Sequence, residues 1–188
     1  MIILKIDVEK GFVTPLPVFI IATYNAEGKP NAMNAVWVGQ IGSDMISISL
    51  GEHPSTENIK LNRAFTVSYA TKDYTAECDY VGIVSFNKEP EKLNKAGFTV
   101  TPSKKVKAPI IDQLPVAIEC EVVDIMQEYG ETRVTAKIVG MVADDSVMTG
   151  DKVDLSKLQP IMYDSSAKTY RLIGENVGGA WDAGRKFM

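Results

Sequence analysis

Two strand-like runs of matched length, residues 116–126 and 132–142, face each other across the pair Tyr129-Gly130, and together they predict a long antiparallel hairpin. Further strand-like runs surround it. Residues 18–23 are β-branched and aromatic, residues 45–50 alternate apolar and polar with period two, and residues 65–69, 161–163 and 170–173 continue the theme. Helical signals are few. Residues 52–62 read as a short helix with Ser55 or Thr56 as its N-cap and Ile59 and Leu61 as its apolar contacts. Residues 90–96 read as a second, opening on Pro90 and stopping before Gly97, while residues 76–86 are ambiguous. Helices this few cannot cover both faces of a parallel sheet, so the fold class expected is mainly β: an antiparallel barrel, whose closure removes exposed edges. No repeat, low-complexity segment or convincing linker divides residues 1–188, and one domain is expected.

Charge narrows the partners. A net charge of −4 and a pI near 5.1 give no general attraction to phosphate backbones or anionic lipid, so neither nucleic acid nor membrane is expected as a partner. No apolar stretch approaches the roughly 20 residues of a bilayer span, and a cytoplasmic protein is expected. Cys78 and Cys120 stand far apart without CxxC or CxxH neighbours, as befits small buried apolar side chains rather than metal ligands or a disulfide.

Protein-borne catalytic chemistry is nearly missing from the sequence. His53 is the only histidine, and no GxSxG, HExxH, Walker A or well-spaced GxGxxG occurs. The acidic residues Asp144, Asp145, Asp151 and Asp154 read as solvated loop rather than a glycosidase pair. An enzyme of this composition takes its reactivity from a bound cofactor and supplies position and electrostatics itself.

Two segments suit such a role. After the turn at residues 25–28, where Gly28 can take positive φ, the chain returns through Asn31, Asn34 and Trp37. Their amides and flat ring suit a polar aromatic ligand, or equally a half-exposed strand with a packed Trp. Residues 53–59 then end a strand and open a helix, so the Ser55 and Thr56 hydroxyls and the free N–H groups suit a phosphate, or equally a cap alone. Lys88 and Lys92 offer a neutralising charge or a solvated face.

The ordered set of segments resembles the flavin reductase-like, FMN-binding split-barrel family, and within it the flavoredoxin-like branch. The resemblance rests on Pro15-Leu-Pro-Val-Phe-Ile-Ile-Ala-Thr, Gly28-Lys-Pro-Asn-Ala-Met-Asn-Ala-Val-Trp, Ser49 and Ser55-Thr-Glu-Asn-Ile. It continues through Asp79-Tyr-Val-Gly-Ile-Val-Ser, Glu91-Lys-Leu-Asn-Lys-Ala-Gly, Ala108-Pro, Leu114-Pro-Val-Ala-Ile-Glu-Cys and Gly140, and closes with Pro160-Ile-Met-Tyr, Tyr170-Arg-Leu-Ile-Gly and Val177-Gly. It implies a homodimer of antiparallel split β-barrels with FMN near the subunit interface. By the same resemblance, Asn31, Asn34, Ala35, Val36 and Trp37 pass the isoalloxazine, Ser49, Ser55 and Thr56 lie on the phosphate side, Lys92 is the lysine of an Asp-Lys motif, and Tyr163 is an aromatic near the flavin. Glu91 replaces the usual aspartate of that motif, and Thr135, with Arg133 nearby, stands where a basic residue or histidine is expected. No catalytic side chain is implied, since the flavin carries the chemistry. Three functions follow as expectations: an oxidoreductase that reduces flavin with NADH or NADPH, a flavoredoxin-like carrier between a redox partner protein and another without NAD(P)H oxidation, or a split barrel without flavin.

Overall fold

The computed structural model describes residues 4–9 and 11–188. Its strands are β1 (Leu16–Pro17), β2 (Phe19–Tyr24), β3 (Pro30–Ala35), β4 (Val38–Gln40), β5 (Met45–Leu50), β6 (Ala64–Tyr69), β7 (Val100–Pro102), β8 (Pro109–Ile111), β9 (Val116–Glu128), β10 (Glu131–Ala143), β11 (Met148–Thr149), β12 (Lys152–Val153), β13 (Ile161–Asp164) and β14 (Thr169–Leu172). Helix α1 (Pro54–Asn62) follows β5, α2 (Thr75–Ile83) and α3 (Lys92–Lys95) follow β6, and α4 (Leu155–Leu158) follows β12.

Seven strands form one antiparallel sheet in the order β3-β2-β6-β9-β10-β5-β4. Laid flat, such a sheet would set its edge strands about 29 Å apart. The edges β3 and β4 are nevertheless consecutive in the chain, joined only by Val36 and Trp37, and a link that short spans about 10 Å. The sheet therefore curls until its edges meet at this link, and Ser49 N–H donates to Trp37 C=O at 3.0 Å, which extends the β4–β5 ladder up to the link itself. The result is the antiparallel half-barrel of the expected mainly β class.

Burial follows from the curl. β2 is buried along nearly its whole length because one face, with Phe19 and Ile21, points into the barrel while Ile20 and Ala22 lie under α2 and its neighbours. That is why its sequence runs continuously apolar. β5, by contrast, alternates buried Ile46, Ile48 and Leu50 with half-buried Met45, Ser47 and Ser49, because solvent covers its outer face. The hairpin β9–β10 is longer than its sequence signal, and both turn residues, Tyr129 (φ 52°) and Gly130 (φ 84°), take the left-handed conformation that matches the twist of the strands. Cys78 and Cys120 are buried and unbridged, and burial pushes both thiols up to about 12.

Helix α1 closes one end of the barrel, with Ile59 among the inward side chains. Its remaining contacts are polar. Asn58 Nδ2 donates to Thr23 Oγ1 at 3.0 Å and Asn62 Nδ2 to the Tyr24 carbonyl at 2.6 Å. The cap position is His53, with Pro54 in the first turn, rather than Ser55 or Thr56. Proline is preset for a first helical turn and has no N–H to leave unpaired there, so the helix starts one residue before the hydroxyls. Leu61, expected as a contact, is 57 % exposed. The ambiguous stretch 76–86 is helical up to Ile83, and the helix expected over 90–96 shrinks to α3.

Because Ile59 is fully buried and Leu61 is not, Ile59→Ala should cost about 2 to 5 kcal/mol of unfolding free energy and Leu61→Ala less than about 1. Urea denaturation of the two variants measures both. Equal losses would mean that α1 is rotated from the orientation described.

Candidate functional site

Two adjoining clefts run along the β3 edge. One, of about 200 Å³, is lined by Asn34, Ala35, Val36 and Trp37 on one side and Ser49, Leu50 and Gly51 on the other. The second, of about 210 Å³, is lined by Asn31, Ser55, Ser85, Phe86 and Lys92. Met33, His53 and Gly82 border both, which makes the clefts continuous.

The two asparagines reach this groove differently, since residues three apart on a strand point to opposite faces. Asn31 is buried and turns toward α1, where its Nδ2 donates to Ser55 Oγ at 2.9 Å. Its Oδ1 is buried without a partner. Asn34 turns toward α2, whose Gly82 leaves room for it: a methyl group at Gly82 would overlap the Asn34 amide. Trp37 lies at the barrel seam and is 61 % exposed. The packed-tryptophan reading therefore fails, because the curl turns the seam outward.

Lys92 is the strongest electrostatic feature of the second cleft. Its side chain is only 2 % exposed, so the solvated-face reading fails as well. Nζ donates to the Val81 and Val84 carbonyls, both at 2.8 Å, at the C-terminal end of α2 where a helix dipole favours a cation. Among the described residues no carboxylate lies within salt-bridge distance of it. Burial lowers its pKa from 10.5 to about 8, and the two carbonyls resist that fall by satisfying the ammonium. An ammonium has three donors, and two carbonyls occupy two of them. Ser55 Oγ accepts from Asn31, which leaves its own proton free to be donated. A buried cation, a free hydroxyl proton and the start of α1 thus converge on one small volume, an arrangement that suits a phosphate's acceptor oxygens.

Thr56 and Tyr163 stand apart. Thr56 Oγ1 donates to the Gly51 carbonyl at 2.8 Å, so its hydroxyl fixes the Gly51 turn instead of facing the groove. Tyr163 belongs to the separate sheet β1-β13-β14 and packs against Tyr170 with ring centroids 6.2 Å apart. Tyr170 in turn donates to Asp79 Oδ1 at 2.6 Å, tying β14 to α2, and burial together with that carboxylate holds the phenol above its ordinary range. Arg133 pairs with Glu128 at 2.7 Å. Gly82, Ser85 and Phe86 line the groove without a role assigned from the sequence, whereas His53 opens the phosphate-suited segment 53–59. For Gly82 and Ser85 the one signal is that residues 79–85 belong to the motif set of the resemblance; Phe86 has none.

Known proteins share this fold. The Flavin reductase like domain matches residues 12–168. The flavoredoxin of Desulfovibrio vulgaris (Miyazaki F) superposes with a TM-score of 0.90 at 29% identity, covering 97% of this chain and 100% of that one. A flavoredoxin from Methanosarcina acetivorans shares the fold with a TM-score of 0.88 at 24% identity, over the whole of both chains. An uncharacterised protein of Pyrococcus abyssi is 28% identical over 145 residues, 75% of this chain and 81% of its own. With the half-barrel, the groove at its seam and a domain match over most of its length, the chain belongs to the flavin reductase-like family.

Proposed function

We propose that the groove along β3 holds FMN and that the protein is a flavoprotein oxidoreductase, reducing its flavin with NADH or NADPH. The observation that carries this reading is Lys92, a buried ammonium without a carboxylate, set beside the free Ser55 proton at the end of a groove walled by residues 34–37. In this reading Lys92 and Ser55 hold the phosphate, and Asn31 Oδ1 accepts from a flavin-borne N–H or O–H. Asn34, Ala35, Val36, Trp37 and Ser49 flank the ring, while Thr56 acts through Gly51. Tyr163 keeps the role near the flavin that the resemblance gives it. Bound flavin supplies hydride chemistry at N5, and no side chain is assigned a catalytic step.

The chain is further proposed to act as one flavin-binding domain over residues 1–188, in the cytoplasm, where two unpaired thiols are at home. Exposed Trp37 in the groove wall, exposed Ile41 after β4, and Val123, Met126 and Met141 on the long hairpin support a homodimer. No helix among the described residues is long and apolar enough to cross a membrane. The second reading, a flavoredoxin-like carrier that passes electrons between protein partners, draws support from the 29% identity to the Desulfovibrio flavoredoxin and from the missing dinucleotide fingerprint.

Lys92→Ala should weaken FMN binding about tenfold or more in a fluorescence titration. Unchanged affinity would remove Lys92 from the site. In the native chain, FMN affinity should fall as pH rises through about 8, because the free site then loses its ammonium, and Lys92→Ala should flatten that profile. The sign for stability is opposite. A lysine whose folded pKa lies below its ordinary 10.5 penalises the fold fully below about 8, so Lys92 lets the flavin-free protein gain stability between about 8 and 10.5. An anaerobic stopped-flow mix with NADH or NADPH separates the two functions: bleaching within seconds is expected of a reductase, and none over minutes of a carrier. Colourless protein that takes up no added FMN would leave a split barrel without flavin. Light scattering should give twice the chain mass of 20.6 kDa, and a monomer would contradict the dimer.

A further inference from the structure

The cleft that contains Lys92 opens outward into a larger one of about 570 Å³, bordered by Asn25, Glu52, Glu57 and Asn87. His53, Pro54 and Phe86 border both and form the junction between them. Charge reverses across that junction. Inside stands the buried Lys92 ammonium, and outside stand two exposed carboxylates. Glu57 is partly met by Lys60 at 2.7 Å in a solvent-exposed pair, and Glu52 has no ion-pair partner among the described residues.

A phosphate monoester ends at its phosphate and can stop at Lys92. A ligand that continues through a pyrophosphate cannot. The opening that adjoins the Lys92 cleft on that side is the outer cleft, so its second phosphate and its nucleoside pass Glu52 and Glu57. We infer that these two glutamates form an acidic threshold that selects flavin ending in a phosphate monoester, FMN, against flavin extended through a pyrophosphate, FAD. The inference rests on the flavin reading of the inner cleft. For an assumed separation on the order of 7 Å in a water-like dielectric, an unpaired carboxylate such as Glu52 disfavours a phosphate charge about threefold, and Glu57, partly met by Lys60, by less. Screening by salt weakens the effect, since the Debye length is about 10 Å at 0.1 M.

The test is a titration of flavin-free protein with FMN, FAD and riboflavin at 20 mM and 500 mM salt, for the native chain and for Glu52→Gln/Glu57→Gln. Both positions are exposed, so the variant should keep the fold. The native chain should bind FMN at least threefold more tightly than FAD at low salt. The double variant should tighten FAD about three- to tenfold while FMN moves less than about twofold, and high salt should narrow the native gap. FAD binding as tightly as FMN in the native chain, or a gap unmoved by the double substitution, would overturn the threshold and leave the flavin reading standing. Failure of both FMN and riboflavin to bind would overturn the flavin reading and the threshold together.

Discussion

Closure at Val36-Trp37 is the constraint on which everything else in this molecule depends. Two residues join strands that stand at opposite ends of a seven-stranded pairing order, so the sheet has to roll up. Rolling up creates an interior for Phe19, Ile48, Phe65 and Val134. It also creates a seam, where strand edge rather than strand face meets solvent. The groove lies along that seam because only there do β3, β5, the start of α1 and the end of α2 come close together.

Placing a cation in such a groove requires outside support. A lone buried ammonium is costly. Here the C-terminal carbonyls of α2 carry part of the cost, and α2 is itself held by the Tyr170 hydrogen bond to Asp79 and by the fit of Gly82 against Asn34. The site is therefore assembled from elements far apart in sequence, and each member of the set restricts the next.

That dispersion explains what could be read from the sequence. The strands of the barrel were legible because their periods survive folding: residues 45–50 alternate, and residues 116–126 and 132–142 match in length. The strand order was not, since the pairing of β6 with β9 or of β10 with β5 leaves no local mark. α2 was ambiguous because it has no side-chain cap and carries a glycine in its last turn, so its packing stabilises it where its propensity does not. Ser55 and Thr56 looked like caps because hydroxyls at a helix start usually are. In the folded chain one is taken up by Asn31 and the other by Gly51. The burial of Lys92 was invisible for the same reason, since the carbonyls that receive it lie eight and eleven residues earlier in the chain. Where spacing alone left alternatives open, motif order named Asn31, Asn34, Trp37, Ser55 and Lys92, all of which line the groove; it carried no sign that Tyr163 belongs to a separate sheet or that Gly51 engages the Thr56 hydroxyl.

Helix α1 gives the barrel a stopper in Ile59 and the groove a wall in Ser55, one turn apart on the same nine residues. An excursion that lifts this helix empties the barrel end and dismantles the groove in one event. In the proposed reading, an anion held against Ser55 would act as a clasp on the whole fold, because a ligand that binds only the closed state suppresses the open one by mass action. Amide exchange in residues 54–62 would then gauge occupancy of the proposed site.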